Sequence, residues 1–257
     1  LKETEAWADR SYIFLYKTNT EYIMEVMIQN WNDRDLTPLK NKDTDLMIIE
    51  NTPASQMEIF KFVSQYYTVI GQNPMDTIFL DITSSGEGRG NLYSSSDLEW
   101  HMDGGYMQDP VHITGLYAVD VTDDAGRTMF VSNRIECPIP DRLVSANMDR
   151  FTKSERYGYK FKTEADRRWF RLKYRNVKHQ LVQEDSKSKY VFYSEAYTDL
   201  PPDEKKIMED ILYAPDRIYY HKWKKGDLMI SNNLATNHKR EGTSAGNRHL
   251  WRLAGIC

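Results

Sequence analysis

Residues 45–50 (DLMIIE) set branched apolar side chains in a row between polar, proline-containing stretches, the pattern of a short buried strand. A helix is predicted to follow. It opens either at Thr52 with Pro53 in the first turn or at Ser55 in a capping box with Glu58, and Ile59, Phe60, Val63 and Tyr67 then recur at helical spacing as a stripe for the core. Further strand-like runs lie at 77–82, 113–121, 128–132, 190–193, 217–221, 227–231 and 249–254, parted by Gly, Asn and Asp turn residues. Helical patterns are fewer: one before Gly71, one over 162–174, and one over 203–212 with Asp203 placed to cap it after Pro201 and Pro202. Many short strands with few helices predict a mostly β chain with flanking helices, a sandwich or an open barrel.

Composition narrows the class. With 257 residues, 40% hydrophobic and 12% aromatic, the chain can bury one substantial core, so a single domain over 1–257 is expected, with a helical insert around 141–176. The balance of 34 basic against 38 acidic residues, net −4, argues against a protein built to neutralise a phosphate backbone and favours a small-molecule substrate. Two cysteines, Cys137 and Cys257, cannot organise a chain of this size by disulfides, so a reducing compartment is expected. No run reaches the roughly 20 apolar residues of a membrane span, and the first ten residues are charged rather than signal-like, so a cytoplasmic location with no membrane partner is expected. The Gly- and Ser-rich segment 84–96 reads as a mobile loop; its glycines follow a strand but lack the spacing and the following helix of a dinucleotide fingerprint.

The sharpest chemical feature is Trp100-His101-Met102-Asp103. Side chains on an extended chain repeat every two positions, so this His and Asp can face one ion. Far downstream, Asn233-Leu234-Ala235-Thr236-Asn237-His238 supplies a second histidine, with Arg248 ten residues later and Arg252 four beyond that. Two His and one carboxylate make a facial triad that leaves three adjacent positions on iron for a chelating cosubstrate and dioxygen, whereas zinc usually takes a closed tetrahedral set. Along 249–254 a strand would put Arg248, Leu250 and Arg252 on one face and His249, Trp251 and Leu253 on the other. Two readings of that strand stay open: the arginines line a barrel interior and need anions there, or they face solvent while Trp251 is buried.

These residues together resemble the taurine dioxygenase superfamily of iron(II)- and 2-oxoglutarate-dependent oxygenases, over about 45–252. His101 and Asp103 look like its first two iron ligands, and the segment from Asn233 to His238 like the approach to the third. The run Gly126-Arg127-Thr128-Met129-Phe130-Val131-Ser132 is similar to its Gly-x-Thr strand, which implies that the Thr128 hydroxyl bonds the distal carboxylate of 2-oxoglutarate. Arg248 matches the arginine that pairs with that carboxylate in a bidentate way, and Arg252 matches a position that grips an anionic group of the substrate. The chain departs from the pattern at Arg127, where an acidic residue is common, at Leu234, where an arginine is frequent, and at Pro138 and Pro140, which shorten an expected helix.

The resemblance implies a double-stranded β-helix, a cupin-like jelly-roll. It also implies Fe(II), 2-oxoglutarate and O2 as the reaction's partners, with succinate and carbon dioxide as products and a C–H bond as target. Asp103 stands where related halogenases carry a small residue, which directs the expectation to hydroxylation, desaturation or ring closure, as in kainoid synthases. Asp97, four residues before His101, is expected with Arg252 to bind opposite charges of an amino-acid-like substrate; its bland alternative is a turn residue beside a serine run. The basic, aromatic segment 167–175 raises a nucleic-acid or protein demethylase as an alternative, against which stand the acidic total charge and helical periodicity. A third reading is a non-catalytic metal-binding barrel.

Overall fold

The computed structural model describes residues 12–15, 24–72, 76–84, 98–135, 145–148, 177–241 and 246–257, with 12–15 and 145–148 as backbone. Its strands are β1 (Tyr12–Leu15), β2 (Glu25–Asn30), β3 (Leu46–Glu50), β4 (Thr68–Ile70), β5 (Leu80–Thr83), β6 (Ile113–Val121), β7 (Thr128–Ser132) and β8 (Ser145–Met148). They continue with β9 (Val177–Gln180), β10 (Val182–Glu184), β11 (Lys189–Val191), β12 (Thr198–Asp199), β13 (Tyr219–His221), β14 (Leu228–Asn232), β15 (Thr236–Arg240) and β16 (Arg248–Ile256). The helices are α1 (Thr37–Lys40), α2 (Gln56–Val63) and α3 (Pro202–Leu212). No helix among the described residues is long and apolar enough to cross a membrane.

Strand alternation builds the layers. The larger sheet runs β1-β2-β3-β14-β6-β16-β4, with β5 also paired to β16, and is antiparallel except between β2 and β3. On β3, Met47 and Ile49 point to a cluster with Leu36, Leu39, Ile59, Phe62 and Val63 of the helical side, while Leu46 and Ile48 point the other way. That second face packs on a smaller sheet, β13-β7-β15, through Phe130 and Trp223. Two largely antiparallel sheets face to face, with helices covering the outside of one, form the expected jelly-roll with flanking helices, and β3 is buried on both faces because each covers a different layer.

Several elements match the pattern along the chain closely and others do not. β6 and β7 have the expected ends. Ser55 caps α2, its hydroxyl accepting from the Glu58 N–H at 3.3 Å, and Phe62 rather than Phe60 joins Ile59, Val63 and Tyr67 in the core. On α3 the cap position falls on Pro201, so Asp203 sits in the first turn, where its charge complements the helix dipole. Within the stretch expected as a helical insert, 145–148 form β8, paired antiparallel with β9; the rest of 141–176, including the helical pattern at 162–174 and the basic segment 167–175, lies outside the described residues. So does most of the glycine- and serine-rich segment, beyond Ser84.

One buried ion cluster ties the layers together. The Arg134 guanidinium, with no exposed side-chain surface, donates from Nε and Nη2 to the Asp45 carboxylate at 3.0–3.1 Å and from Nη1 and Nη2 to Asp185 at 2.8 and 2.7 Å. Asn232 of β14 and the Ser188 hydroxyl bond into the same group. The turn at 185–188 is thereby fastened to the start of β3, and a lone buried charge is avoided on all sides.

Candidate active site

His101 and His238 meet through the backbone first. They form an antiparallel bridge, His101 N–H to the His238 carbonyl at 3.0 Å and the reverse bond at 2.8 Å, which brings their rings to 4.2 Å between centroids. Asp103 reaches them differently from the extended-chain expectation. It lies in a turn, where the Asn233 side chain accepts from its N–H at 2.8 Å and donates to its carbonyl at 2.8 Å and to that of Val111 at 2.7 Å. The turn continues through Gly104 at φ +64°, a left-handed conformation in which a side chain would also press on Met107 and Val111. Nε2 of His101 and of His238 then lie 3.9 Å from the Asp103 carboxylate, and one donor atom from each of the three residues falls within 4.8 Å of the others.

The hydrogen bonds leave this triad suited to a cation. Nδ1 of His101 lies 2.8 Å from the Glu99 carbonyl, which can only accept, so Nδ1 carries the proton and Nε2 presents a lone pair. The Thr114 hydroxyl donates to Asp103 Oδ2 at 3.0 Å and Arg252 Nη1 donates to Oδ1 at 3.0 Å. Burial would raise the Asp103 carboxyl, but Arg252 and the two imidazoles hold it well below the usual range, so it is ionised. A lone pair of His101 thus lies 3.9 Å from an anionic oxygen, two electron-rich groups side by side that suit a shared metal ion.

Burial, with His101 beside it, pushes His238 from 6.5 down to about 3, so it is neutral and able to ligate at any physiological pH. Because the folded value lies below the unfolded one, the unfolded chain takes up the proton first. The metal-free protein is expected to keep its full stability from this group above about pH 6.5 and to lose it as the pH falls toward about 3. Melting temperatures from pH 7 to 4 check this: His238→Gln should flatten the slope, and an unchanged slope would contradict it.

The arginines on β16 face inward, which decides between the two open readings of that strand. Arg248 and Leu250 are 4% and 0% exposed, and Trp251 on the opposite face is covered by the helical layer. A register shift next to His249 and Leu250 is absorbed by β6, so the alternation along β16 survives. Arg248 Nη2 donates to the Thr128 hydroxyl at 2.8 Å, while its Nε and Nη1 have no partner among the described residues. Burial, reinforced by the nearby charge of Arg240, lowers Arg248 to about 9, which leaves it cationic at neutral pH. A buried guanidinium with unused donors calls for an anion, and a planar carboxylate matches its fork.

His101, Asp103, His238, Thr128, Arg248 and Arg252 all line one cavity, as does Arg240. Of the residues expected to hold metal, cosubstrate or substrate, Asp97 alone lies outside the described residues. Thr114, Asn233, Trp223 and Arg240 were given no role there. Arg240 carried a usable signal, standing two residues after His238 and so on the same face of β15; Thr114 carried none, because only strand packing brings it to Asp103.

The family model for taurine catabolism dioxygenase TauD, TfdA family, matches residues 42–254. Among solved structures, a taurine dioxygenase from Burkholderia xenovorans is similar at 15% identity with a TM-score of 0.64, over 95% of this chain and 90% of that one. A structure of PvcB, described as an Fe, alpha-ketoglutarate dependent oxygenase from an isonitrile synthetic pathway, aligns at 17% identity and TM-score 0.66 over 99% of this chain and 95% of that one. AAD-2, in complex with Mn(II) and N-oxalylglycine, aligns at 17% identity and TM-score 0.66 over 95% and 97%. At such identities these likenesses establish the shared fold, and no curated protein sequence matches the chain. The family match over most of the length carries the rest: the chain belongs to the TauD, TfdA family and is an iron- and 2-oxoglutarate-dependent dioxygenase.

Proposed function

We propose that His101, Asp103 and His238 hold Fe(II), that Arg248 and Thr128 hold the distal carboxylate of 2-oxoglutarate, and that the enzyme oxidises a C–H bond of a small amino-acid-like or carboxylate substrate. The observation that carries the reading is a single cavity joining a lone pair of His101 that faces ionised Asp103 to a buried arginine with spare donors. The expected outcome is hydroxylation, oxidative cyclisation or desaturation within a biosynthetic pathway.

The chain's own part is to bind, orient and exclude water. Fe(II) with 2-oxoglutarate supplies, when bound, dioxygen reduction coupled to oxidation of the 2-oxo acid to succinate and carbon dioxide, and hydrogen abstraction from the substrate. Glu99 fixes the His101 ring in the ligating tautomer, and Thr114 and Arg252 set the direction of the Asp103 carboxylate. Arg248 and Thr128 fix the far end of the 2-oxo acid, which aims its chelating end at the triad. Arg252, bound to Gln72 at 2.7 Å as well as to Asp103, is assigned the substrate's anionic group, and Asp97 its cationic one.

The test is an anaerobic titration with Fe(II) and 2-oxoglutarate, followed by a screen of amino acids and simple carboxylates for succinate release. A visible charge-transfer band that needs both components, and a substrate that raises succinate output above the uncoupled background, are expected. No band at saturating iron and cosubstrate would overturn the assignment of the site.

A further inference from the structure

We propose that Trp223 is a positioning residue for the cosubstrate: its indole N–H occupies one lone pair of the Thr128 hydroxyl and so turns the hydroxyl proton into the cavity as a donor to the distal carboxylate. The inference rests on the anchor assigned above to Arg248 and Thr128, and goes beyond it by naming the group that gives the hydroxyl its direction.

The argument is a count of donors and lone pairs. Thr128 Oγ1 lies 2.9 Å from Trp223 Nε1 and 2.8 Å from Arg248 Nη2. Both partners are donors under all conditions, since neither an indole N–H nor a guanidinium has a lone pair to offer. A hydroxyl oxygen has two acceptor sites and one proton, so both acceptor sites are filled and the proton is left over. Thr128 is 1% exposed and lines the cavity, where a carboxylate on the spare donors of Arg248 would accept that proton. Without the indole N–H, Arg248 alone would hold the hydroxyl, whose proton and second lone pair could then exchange places about the Cβ–Oγ bond, so that a lone pair would face the anion part of the time.

Trp223 is itself held firmly. It is 4% exposed, its ring meets the His221 ring edge-on at 4.7 Å, and Arg248 lies 5.9 Å from its centre. The loop that carries it is closed by Asp227, which accepts from His221 Nε2 at 3.0 Å and from the Lys224 N–H at 2.9 Å. Gly226, at φ +88°, and Asp227 are bonded to both sides of Ala118 on β6. The indole therefore reaches Thr128 from a fixed platform linking the two sheets, in a place where packing alone would be served equally well by an aromatic ring without a donor.

Trp223→Phe keeps the ring and removes the N–H, and Thr128→Val removes the hydroxyl. Affinities for 2-oxoglutarate and for 2-oxobutanoate, which lacks the distal carboxylate, are measured anaerobically with Fe(II) in wild type, each single variant and the double variant. Loss of one neutral hydrogen bond should make Trp223→Phe bind 2-oxoglutarate about fivefold more weakly. Binding of 2-oxobutanoate should stay unchanged, and the Phe substitution should have no further effect in the Thr128→Val background. Because the readout is a ratio of two ligands on the same protein, a general loss of folded material cancels. Equal weakening for both ligands, or an undiminished loss in the Thr128→Val background, would assign Trp223 to packing alone and overturn the proposal. If Thr128→Val leaves the 2-oxoglutarate preference intact, the anchor reading itself fails and takes this one with it; if Thr128→Val weakens it and Trp223→Phe does not, only the present inference fails.

Discussion

Asp103→Ala is expected to weaken Fe(II) binding by more than about 100-fold and to bring succinate release to background at iron concentrations that saturate the unaltered enzyme. Loss of a partner that merely orients a metal ligand costs about 10- to 100-fold in affinity, so loss of the one anionic ligand of the set should exceed that range. The turn should survive, because Asn233 clamps the backbone N–H and C=O of residue 103 rather than its side chain. Arg252 loses its carboxylate partner at the same time, which leaves a cation beside two imidazoles and opposes metal entry further. Iron titration with a circular dichroism spectrum as the folding control checks this. Retention of Fe(II) affinity within tenfold of the unaltered protein would remove Asp103 from the metal site.

The second large effect concerns stability. Arg134→Met should destabilise the protein by about 3–5 kcal/mol, because it strands the carboxylate of Asp45, which has no exposed side-chain surface, and strips Asp185 of its partner. For a domain of this size that corresponds to a fall of about 10 °C in melting temperature. Adding Asp45→Asn should recover part of the loss, since the desolvated charge is then gone while Asn232 and Ser132 remain as hydrogen-bond partners. A shift of under about 3 °C for Arg134→Met alone would show that the cluster relaxes or hydrates at little cost. Thermal melts of the single and double variants, metal-free, decide the matter without reference to activity.

These two sites illustrate how far residue order can be read. Asp45 was legible as the start of a buried strand, but its ion cluster was not: Arg134 and Asp185 lie 89 and 51 positions from their partners, and no local period links them. β15 escaped the strand pattern because its sequence, TNHKR, has polar side chains on the buried face. Strand recognition by alternation assumes that the inward face is apolar, and a strand whose inward residues His238 and Arg240 line a polar cavity breaks that assumption. His101 and Asp103 were paired from their spacing as on an extended strand, and the structure brings them together through a clamped turn instead.

Residue order by itself determined the mostly β class, the ends of β6 and β7, the kinship carried by a few scattered positions, and the fact that Arg248, Leu250 and Arg252 share a face. Those are local or additive properties: side-chain alternation follows from backbone geometry, and residue types limit which ions they can hold. Which face of β16 turned inward, which Thr and Asn would brace Asp103, and which indole would meet Thr128 were decided only when two sheets and a helical layer closed on one another. Such contacts depend on the relative placement of strands far apart in the chain, and alternation is symmetric between a strand's two sides until something packs against one of them.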